Sequence, residues 1–427
     1  MPAPHTAEIV RLATIGSVDD GKSTLIGRLL YDCRLLLEDQ LTSLREASDR
    51  RGAGLDLALI TDGLRAEREQ GITIDVAYRY FATPRRTFIL ADTPGHVQYT
   101  RNMATGTSTA QVALLLIDAR RGLSEQARRH AFIASLLGVP HVVVCVNKMD
   151  LVGYSEERFD ELRAEFVEFA ARLDLRDLVF VPVAALHGDN VVKPSPTMPW
   201  YRGPTLLYYL ETVHIASDRN LVDVRLPIQY VVRTPGVAGT AGRWYAGQMA
   251  GGVLRVGDDV AILPSGLQTR IAELGMGGPV DEVFTPQSVR VSLADDLDVS
   301  RGDMIVRVSN RPTVGQDLDV MLCSFGTAPL REGTRAVLTH TTRTCVGVIT
   351  SIQYRIDVNT LHRDRDAAEL GFNEIGRAAI RAAAPLFYDP YRRNHATGGL
   401  ILVDDITNAT VAAGIILGPA QQAVGRP

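Results

Sequence analysis

The sequence predicts an α/β fold in which a doubly wound, mostly parallel sheet is followed by two antiparallel β-barrels. Three observations predict it. Short β-rich apolar runs alternate with helix-patterned segments up to residue 222. A glycine-rich loop of the form GxxxxGK[ST], "GSVDDGKS" at 16–23, sits between the first such run and the first helix. From residue 223 onward the texture changes to short alternating runs separated by Gly, Asp and Asn.

The elements follow in order. "RLATIG" is a strand running into the glycine loop, and "KSTLIGRLLYD" continues as a helix. Residues 32–73 form a long charged insertion, partly helical, too polar for core and placed to move beside the loop. "TFILAD" (87–92), "VALLLID" (112–118) and "HVVVCVN" (141–147) have the unbroken apolar character of buried parallel strands. Between the last two, "SEQARRHAFIASLLG" has helical spacing and stops at Gly138, with Pro140 beyond. "DVRLPIQYVV" (223–232) opens the first barrel, and "VGDD" within "GVLRVGDDVAIL" (252–263) has the look of a hairpin turn. "TRAVLTHTTRTCVGVITSIQYRIDV" (334–358) and "GGLILVDD" (398–405) belong to the second. The expected domains are 1–222, 223–311 and 312–427.

Composition narrows the class. A chain of 427 residues exceeds one hydrophobic core. A formal net charge of −4 gives no general attraction to nucleic acid or anionic membrane. The longest apolar runs are too short to span a bilayer, and the N-terminus lacks a secretion signal. Cys33, Cys145, Cys323 and Cys345 make no CxxC pair, which fits a reducing cytoplasm and argues against zinc. All but three of the 45 basic residues are Arg. The exceptions are Lys22 in the glycine loop, Lys148 in "NKMD", and Lys193, read as surface. Where an Arg-using chain keeps Lys, a compact ammonium on a slim stem is called for.

The chemistry gathers at the carboxyl ends of the predicted parallel strands. Gly16, Ser17, Val18, Asp19, Asp20, Gly21, Lys22, Ser23 and Thr24 form the loop and helix start that grip phosphates. The glycines let backbone N–H groups wrap the β-phosphate at the helix N-terminus, Lys22 bridges the β- and γ-phosphates, and the Ser23 hydroxyl ligates Mg²⁺. Lys22 is the only lysine preceded by glycine, so one such nucleotide is held. Asp92, ending a strand, reaches Mg²⁺ through a water, and the Gly95 N–H reaches the γ-phosphate, as a turn that relaxes on hydrolysis should. His96, one residue on, is placed to orient the attacking water, and Thr73 in "QGITID" to cap Mg²⁺ and the γ-phosphate. In "NKMD" the Asp150 carboxylate can accept from guanine N1–H and the 2-amino group, a donor pair adenine lacks. Asn147 reaches the guanine edge, and the Lys148 stem lies along the ring. Ala184, Ala185 and Leu186 lie under the base, with Ala184 where serine is usual, so only backbone and packing contacts remain there. The nucleotide is GTP, with Mg²⁺ as cofactor, and the first domain is a P-loop GTPase.

These motifs in this order, followed by two barrels, resemble the translation-factor branch of GTPases, which includes elongation factor Tu. That resemblance makes His96 the water-positioning residue, Val18 and Ile72 the apolar gate around it, and Asp19 an aid to a monovalent cation or to loop geometry. The longer matches decide the branch. "GSVDDGKST", "DGLRAEREQGITIDVAYRYF" (62–81), "DTPGHVQYTRNMATGTSTA" (92–110), "WYRGPTLLYYLE", "HTTRT" (340–344) and "DVNTLHRD" (357–364) look like the large, GTP-binding subunit of bacterial sulfate adenylyltransferase. The resemblance implies a heteromer in which a smaller partner binds ATP and sulfate and forms adenosine 5′-phosphosulfate and pyrophosphate, driven by GTP hydrolysis. Neither nucleic acid nor membrane is an expected partner. Relatives can carry a fused adenylylsulfate kinase domain; the chain stops after "AQQAVGRP", so that activity is expected from elsewhere. The rival readings are a translation factor delivering aminoacyl-tRNA and a GTP-binding regulator without coupled chemistry.

Overall fold

The computed structural model describes residues 9–35, 38, 57–60, 73, 75–215, 219–234 and 242–420. Ile72 and most of the 32–73 insertion lie outside them. The chain divides into two compact units, Met1–Ser217 with Val358–Leu361, and Asp218–Asp357 with His362–Pro427. Among the described residues no helix is long and apolar enough to cross a membrane.

The first unit is built on β1 (Ile9–Gly16), α1 (Lys22–Asp32), β2 (Ala77–Ala82), β3 (Thr87–Asp92), α2 (Thr100–Thr107) and β4 (Val112–Asp118). It continues through α3 (Glu125–Leu136), β5 (His141–Asn147), α4 (Glu156–Ala170), β6 (Asp177–Pro182) and α5 (Leu206–Thr212). The strands lie in the order β2-β3-β1-β4-β5-β6, with only β2 antiparallel to its neighbour. β4 is buried along its whole length because helices cover both sheet faces, which is why its sequence is an unbroken apolar run. Ser124 accepts from Ala127 N at 3.1 Å to start α3, and Gly138, at φ 62°, ends it. Parallel register then sets the motif residues in a row: Thr14 pairs with Asp92, Gly16 with Leu116, and Asp118 with Asn147.

One expectation about the insertion is corrected. Leu57, in its turn Leu57–Ile60, is core: it is fully buried, and a Cβ on Gly27 of α1 would overlap the Leu57 carbonyl. Charge dominates the insertion's composition, but a single apolar turn suffices to dock it against α1.

In the second unit the first barrel comprises β7 (Arg225–Thr234), β8 (Gly242–Gln248), β9 (Val253–Arg255), β10 (Asp259–Leu263), β11 (Gln268–Gly275), β12 (Pro279–Val280), β13 (Glu282–Phe284), β14 (Ser288–Leu293) and β15 (Met304–Arg307). Among the described residues β10-β15-β7-β8-β14-β11 close on themselves through β10–β11 pairing. The expected "VGDD" hairpin is not formed. β9 pairs with β13, and β10 with β11 and β15. The turn itself forms, with Asp258 N donating to Arg255 O, but Val256 N and Gly257 N donate to Asp281 O and Ile271 O, so the flanking backbone is spent on other strands and β9 does not pair with β10. The hairpin lies one strand later, where Ile262 N donates to Leu267 O across "PSG".

The second barrel comprises β16 (Thr313–Ser324), β17 (Leu330–Arg331), β18 (Arg335–His340), β19 (Arg343–Ile356), β20 (Arg363–Asp364), β21 (Glu369–Leu370), β22 (Ile375–Tyr388), a helical turn α6 (His395–Gly398), β23 (Gly399–Val403) and β24 (Thr410–Pro419). Its ring is β18-β23-β24-β16-β22-β19, closed by β18–β19. A buried polar network ties the barrels together. Arg225, fully buried in β7, donates from Nε and Nη2 to Asp389 at 2.9 Å each and from Nη1 to Asn310 O at 2.9 Å. Asp389 also accepts from Thr397 Oγ1 at 2.8 Å. Asp223 takes paired bonds from Arg393, at 2.8 and 2.7 Å, which hold its carboxyl well below the usual range.

Asp389→Ala would strand the Arg225 guanidinium in this interior. We expect it to lower the opening free energy read from amide exchange in β7 and β22 by about 3–5 kcal/mol. Replacing Arg225 and Asp389 together by apolar residues should cost clearly less.

Candidate nucleotide site

The loop between β1 and α1 is shaped by backbone that only glycine tolerates. Gly16 has φ 142°, and a Cβ there would lie 2.8 Å from Leu116 O. Gly21, the residue before α1, has φ 93°, and a Cβ there would overlap Asn147 Nδ2. No side chain caps α1, so its first N–H groups are available to an anion. Lys22 is buried, and its Nζ donates to Gly16 O at 3.1 Å and Ser17 O at 2.8 Å, bent back over the loop it terminates. Burial lowers its pKa, opposed by Asp92, Asp20 and Asp19. Asp20 is buried beneath the loop, where its Oδ2 accepts from Ser17 N at 2.7 Å and burial raises its pKa. Asp19, at φ 65°, is exposed, Val18 half-buried, and Ser23 and Thr24 sit half-buried in the first turn of α1.

The turn after β3 closes over this loop. A Cβ on Gly95 would overlap Lys22 Nζ and sit 2.8 Å from Gly16 O, so the Gly95 backbone packs directly on the phosphate loop. Asp92, buried, accepts from Thr14 Oγ1 at 3.2 Å. His96 is half-buried; its Nδ1 accepts from Gln98 N at 3.3 Å, capping the turn Val97–Tyr99. Thr73 is half-buried, with Ile72 and Ile74 outside the described residues. Ser23, Thr73 and Asp92 supply two hydroxyls and a carboxylate, a hard oxygen donor set of the kind Mg²⁺ takes.

The base side is stitched to the same loop. The Asn147 carboxamide, buried, donates from Nδ2 to Asp20 O at 2.8 Å and accepts through Oδ1 from Ala185 N at 3.0 Å. Its side chain therefore joins two loops, where sequence reasoning aimed it at the guanine edge. Lys148, at φ 64°, donates to Asp19 O and, at 2.9 Å, to Asp118 Oδ2. Asp150 is half-buried, and His187 Nε2 lies 3.6 Å from its Oδ2. Ala184 and Ala185 are buried, whereas Leu186 is exposed.

Sequence reasoning missed three residues of this site, Asp118, Arg120 and His130. Asp118, ending β4, anchors Lys148 and accepts from Arg120 Nη2 at 2.7 Å. Burial pushes its carboxyl up, but the hydrogen bonds from Arg120 and Lys148 outweigh this and hold it well below the usual range. The third is His130, fully buried in α3, whose Nδ1 accepts from Gly16 N at 2.9 Å while Nε2 meets Gln126 Nε2 at 2.8 Å. The available signal was a Gln–His pair four residues apart on a helix face otherwise made of Ala127, Ala131, Ile133 and Ala134.

Burial, then the positive charges of Lys22 and Arg129, push the His130 imidazole down to about 3. The native state thus keeps it neutral, while the unfolded chain takes up a proton below about 6.5. Its contribution is complete above that value and is lost as pH falls toward 3. In urea titrations, moving from pH 7 to pH 5 should destabilise the wild type by about 2 kcal/mol more than His130→Gln.

Comparison with known proteins places this geometry. The family model described as "Elongation factor Tu GTP binding domain" matches residues 7–224, and "GTP-eEF1A C-terminal domain-like" matches 317–417. The chain is 58% identical over 412 residues to "Bifunctional enzyme CysN/CysC" of Mycobacterium tuberculosis, covering 96% of this chain and 67% of that one. It is 51% identical over 414 residues to "Sulfate adenylyltransferase subunit 1" of Bacteroides fragilis, covering 96% and 86%. The solved GTPase-like domain of Saccharomyces cerevisiae Ski7, bound to GTP, superposes with TM-score 0.53 at 18% identity over 96% of this chain and 97% of that one, a likeness of fold alone. The chain therefore belongs to the sulfate adenylyltransferase subunit 1 family, within the elongation factor Tu-like GTP-binding proteins.

Proposed function

We propose that this chain is the GTP-hydrolysing subunit of a heteromeric sulfate adenylyltransferase. GTP hydrolysis here drives ATP and sulfate to adenosine 5′-phosphosulfate and pyrophosphate on a smaller subunit that binds both substrates. The observation that carries the reading is the 51% identity, over 96% of the chain, to a relative named as subunit 1 of that enzyme. This favours it over delivery of aminoacyl-tRNA. In the same reading residues 1–222 are the GTPase domain and 223–311 and 312–427 the barrels. The assembly works in the cytoplasm, with neither nucleic acid nor membrane as partner.

The residues act as follows. Lys22 exchanges the carbonyls of Gly16 and Ser17 for β- and γ-phosphate oxygens, while the uncapped amides at the start of α1 take the remaining charge. Ser23, Thr73 and, through a water, Asp92 hold Mg²⁺, which when bound neutralises charge on the β- and γ-phosphates. The Gly95 N–H senses the γ-phosphate. Because the His96 Nδ1 is occupied by Gln98 N, its Nε2 is the nitrogen that addresses the attacking water. Water oxygen bonds to the γ-phosphorus as the bond to the β–γ bridging oxygen breaks. Val18 and Ile72 gate that approach, and Asp19 supports the loop. Asp150 reads guanine N1–H and the 2-amino group, the Lys148 stem lies along the ring, and Ala184, Ala185 and Leu186 back the base. Coupling requires the small subunit to bind the GTP and GDP conformations with different affinity.

With the small subunit, ATP, Mg²⁺, sulfate and pyrophosphatase present, adenosine 5′-phosphosulfate formation should depend on GTP and be lost in Lys22→Ala. Absence of a GTP effect in a confirmed complex overturns the proposal. Asp150→Asn should weaken GTP binding by about 10²-fold and shift preference toward xanthosine triphosphate, read by competition binding.

A further inference from the structure

We infer that Arg28, on the outer turns of α1, is a positioning residue for base recognition. It fixes the loop under the base by holding the carbonyls of Ala185 and Leu186; this rests on the guanine reading of that loop. Arg28 Nε donates to Ala185 O at 3.2 Å, and Nη2 donates to Leu186 O. Nη1 pairs with Asp32 Oδ1 at 3.2 Å, one turn along the same helix, and the guanidinium lies 5.5 Å from the centre of the Tyr31 ring. All three guanidinium nitrogens are thus engaged, and the Arg28 side chain is only 14% exposed.

The loop is shaped to admit this arrangement. Gly188, at φ 88°, passes so close that a Cβ would lie 3.0 Å from Asp32 Oδ2 and 3.2 Å from Arg28 Cδ. From the opposite side Asn147 Oδ1 holds Ala185 N. The 185–186 peptides are therefore gripped by their carbonyls from α1 and by an amide from β5. Ala184 carries no hydroxyl that could brace the loop from within. A planar fork bonded to consecutive carbonyls fixes peptide orientation in a way a point charge cannot. Since α1 also begins at the phosphate loop, Arg28 sets the distance between the base-reading and phosphate-reading backbones.

The test is nucleotide selectivity, measured with the full chain as GDP and ADP affinities by competition. Base positioning affects GDP, which uses the loop, and spares ADP, which engages the phosphate and sugar contacts alone. In Arg28→Ala we expect GDP affinity to fall about tenfold or more, with ADP affinity unchanged within about twofold. Arg28→Lys, which keeps the charge but loses the fork, should recover less than half of that loss on a logarithmic scale. Equal loss for both nucleotides, or no loss for either, overturns the inference, as does full rescue by lysine. A wild-type chain that does not prefer GDP to ADP overturns the guanine reading itself and is visible before any variant is made.

Discussion

The Asn147 carboxamide is the joint on which the nucleotide site depends. One end bonds the Asp20 carbonyl in the phosphate loop and the other the Ala185 amide in the loop beneath the base. Both bonds are buried, so losing either leaves a polar group without water to replace its partner. Gly21 must be glycine because this amide fills the space its side chain would need. The joint works because β5 places Asn147 level with Asp118 of β4 at the carboxyl edge of the sheet, the edge to which β1 and β3, on the far side of β4, deliver Gly16 and Asp92.

Around that joint the site concentrates charge that burial disfavours. Lys22, Asp20, Asp92 and Asp118 are all nearly inaccessible, and His130 adds a neutral ring rather than a fifth charge. Three of them are tied to the loop backbone: Lys22 to two loop carbonyls, Asp20 to the Ser17 amide, His130 to the Gly16 amide. The loop is thereby held in shape from below. An arriving triphosphate offers Lys22 better acceptors than carbonyls, and Gly95, packed on the Lys22 ammonium, is positioned to feel the exchange. On the proposed reading, binding and switching are two consequences of one crowded contact.

The barrels follow a different logic. Their main cores are apolar, one centred on Leu226, Tyr245 and Val291, the other on Leu318, Ile380 and Leu402. They are joined by a buried polar network, the Arg225–Asp389 pair with its neighbours Asp223, Asn310 and Thr397, and by an apolar cluster in which Phe387 of β22 packs with Ala261, Leu263, Met304 and Val306 of the first barrel. Such a pair contributes little net stability relative to an apolar contact, but removing one partner is costly because it leaves a buried charge uncompensated.

The sequence by itself determined whatever depends on short-range pattern. β3, β4 and β5 occupy the same residues as the apolar runs that predicted them, because a strand covered on both faces must be apolar throughout. The glycine loop, Gly95 and Asn147 of "NKMD" do meet at one edge of the sheet, as their places after successive apolar runs led one to expect. Tertiary structure alone decided which distant groups meet. His130 lies 114 residues from the amide it accepts, and Arg28 157 from the first carbonyl it holds. "VGDD" makes the turn its composition suggests, but the Val256 and Gly257 amides found Asp281 and Ile271, so the strands on either side pair elsewhere. Composition marked the insertion as surface, yet Leu57 is core. Local pattern fixes what a segment can form; the choice among distant hydrogen-bond partners is made when the sheet and barrels bring them within reach, and no periodicity in the chain encodes that choice.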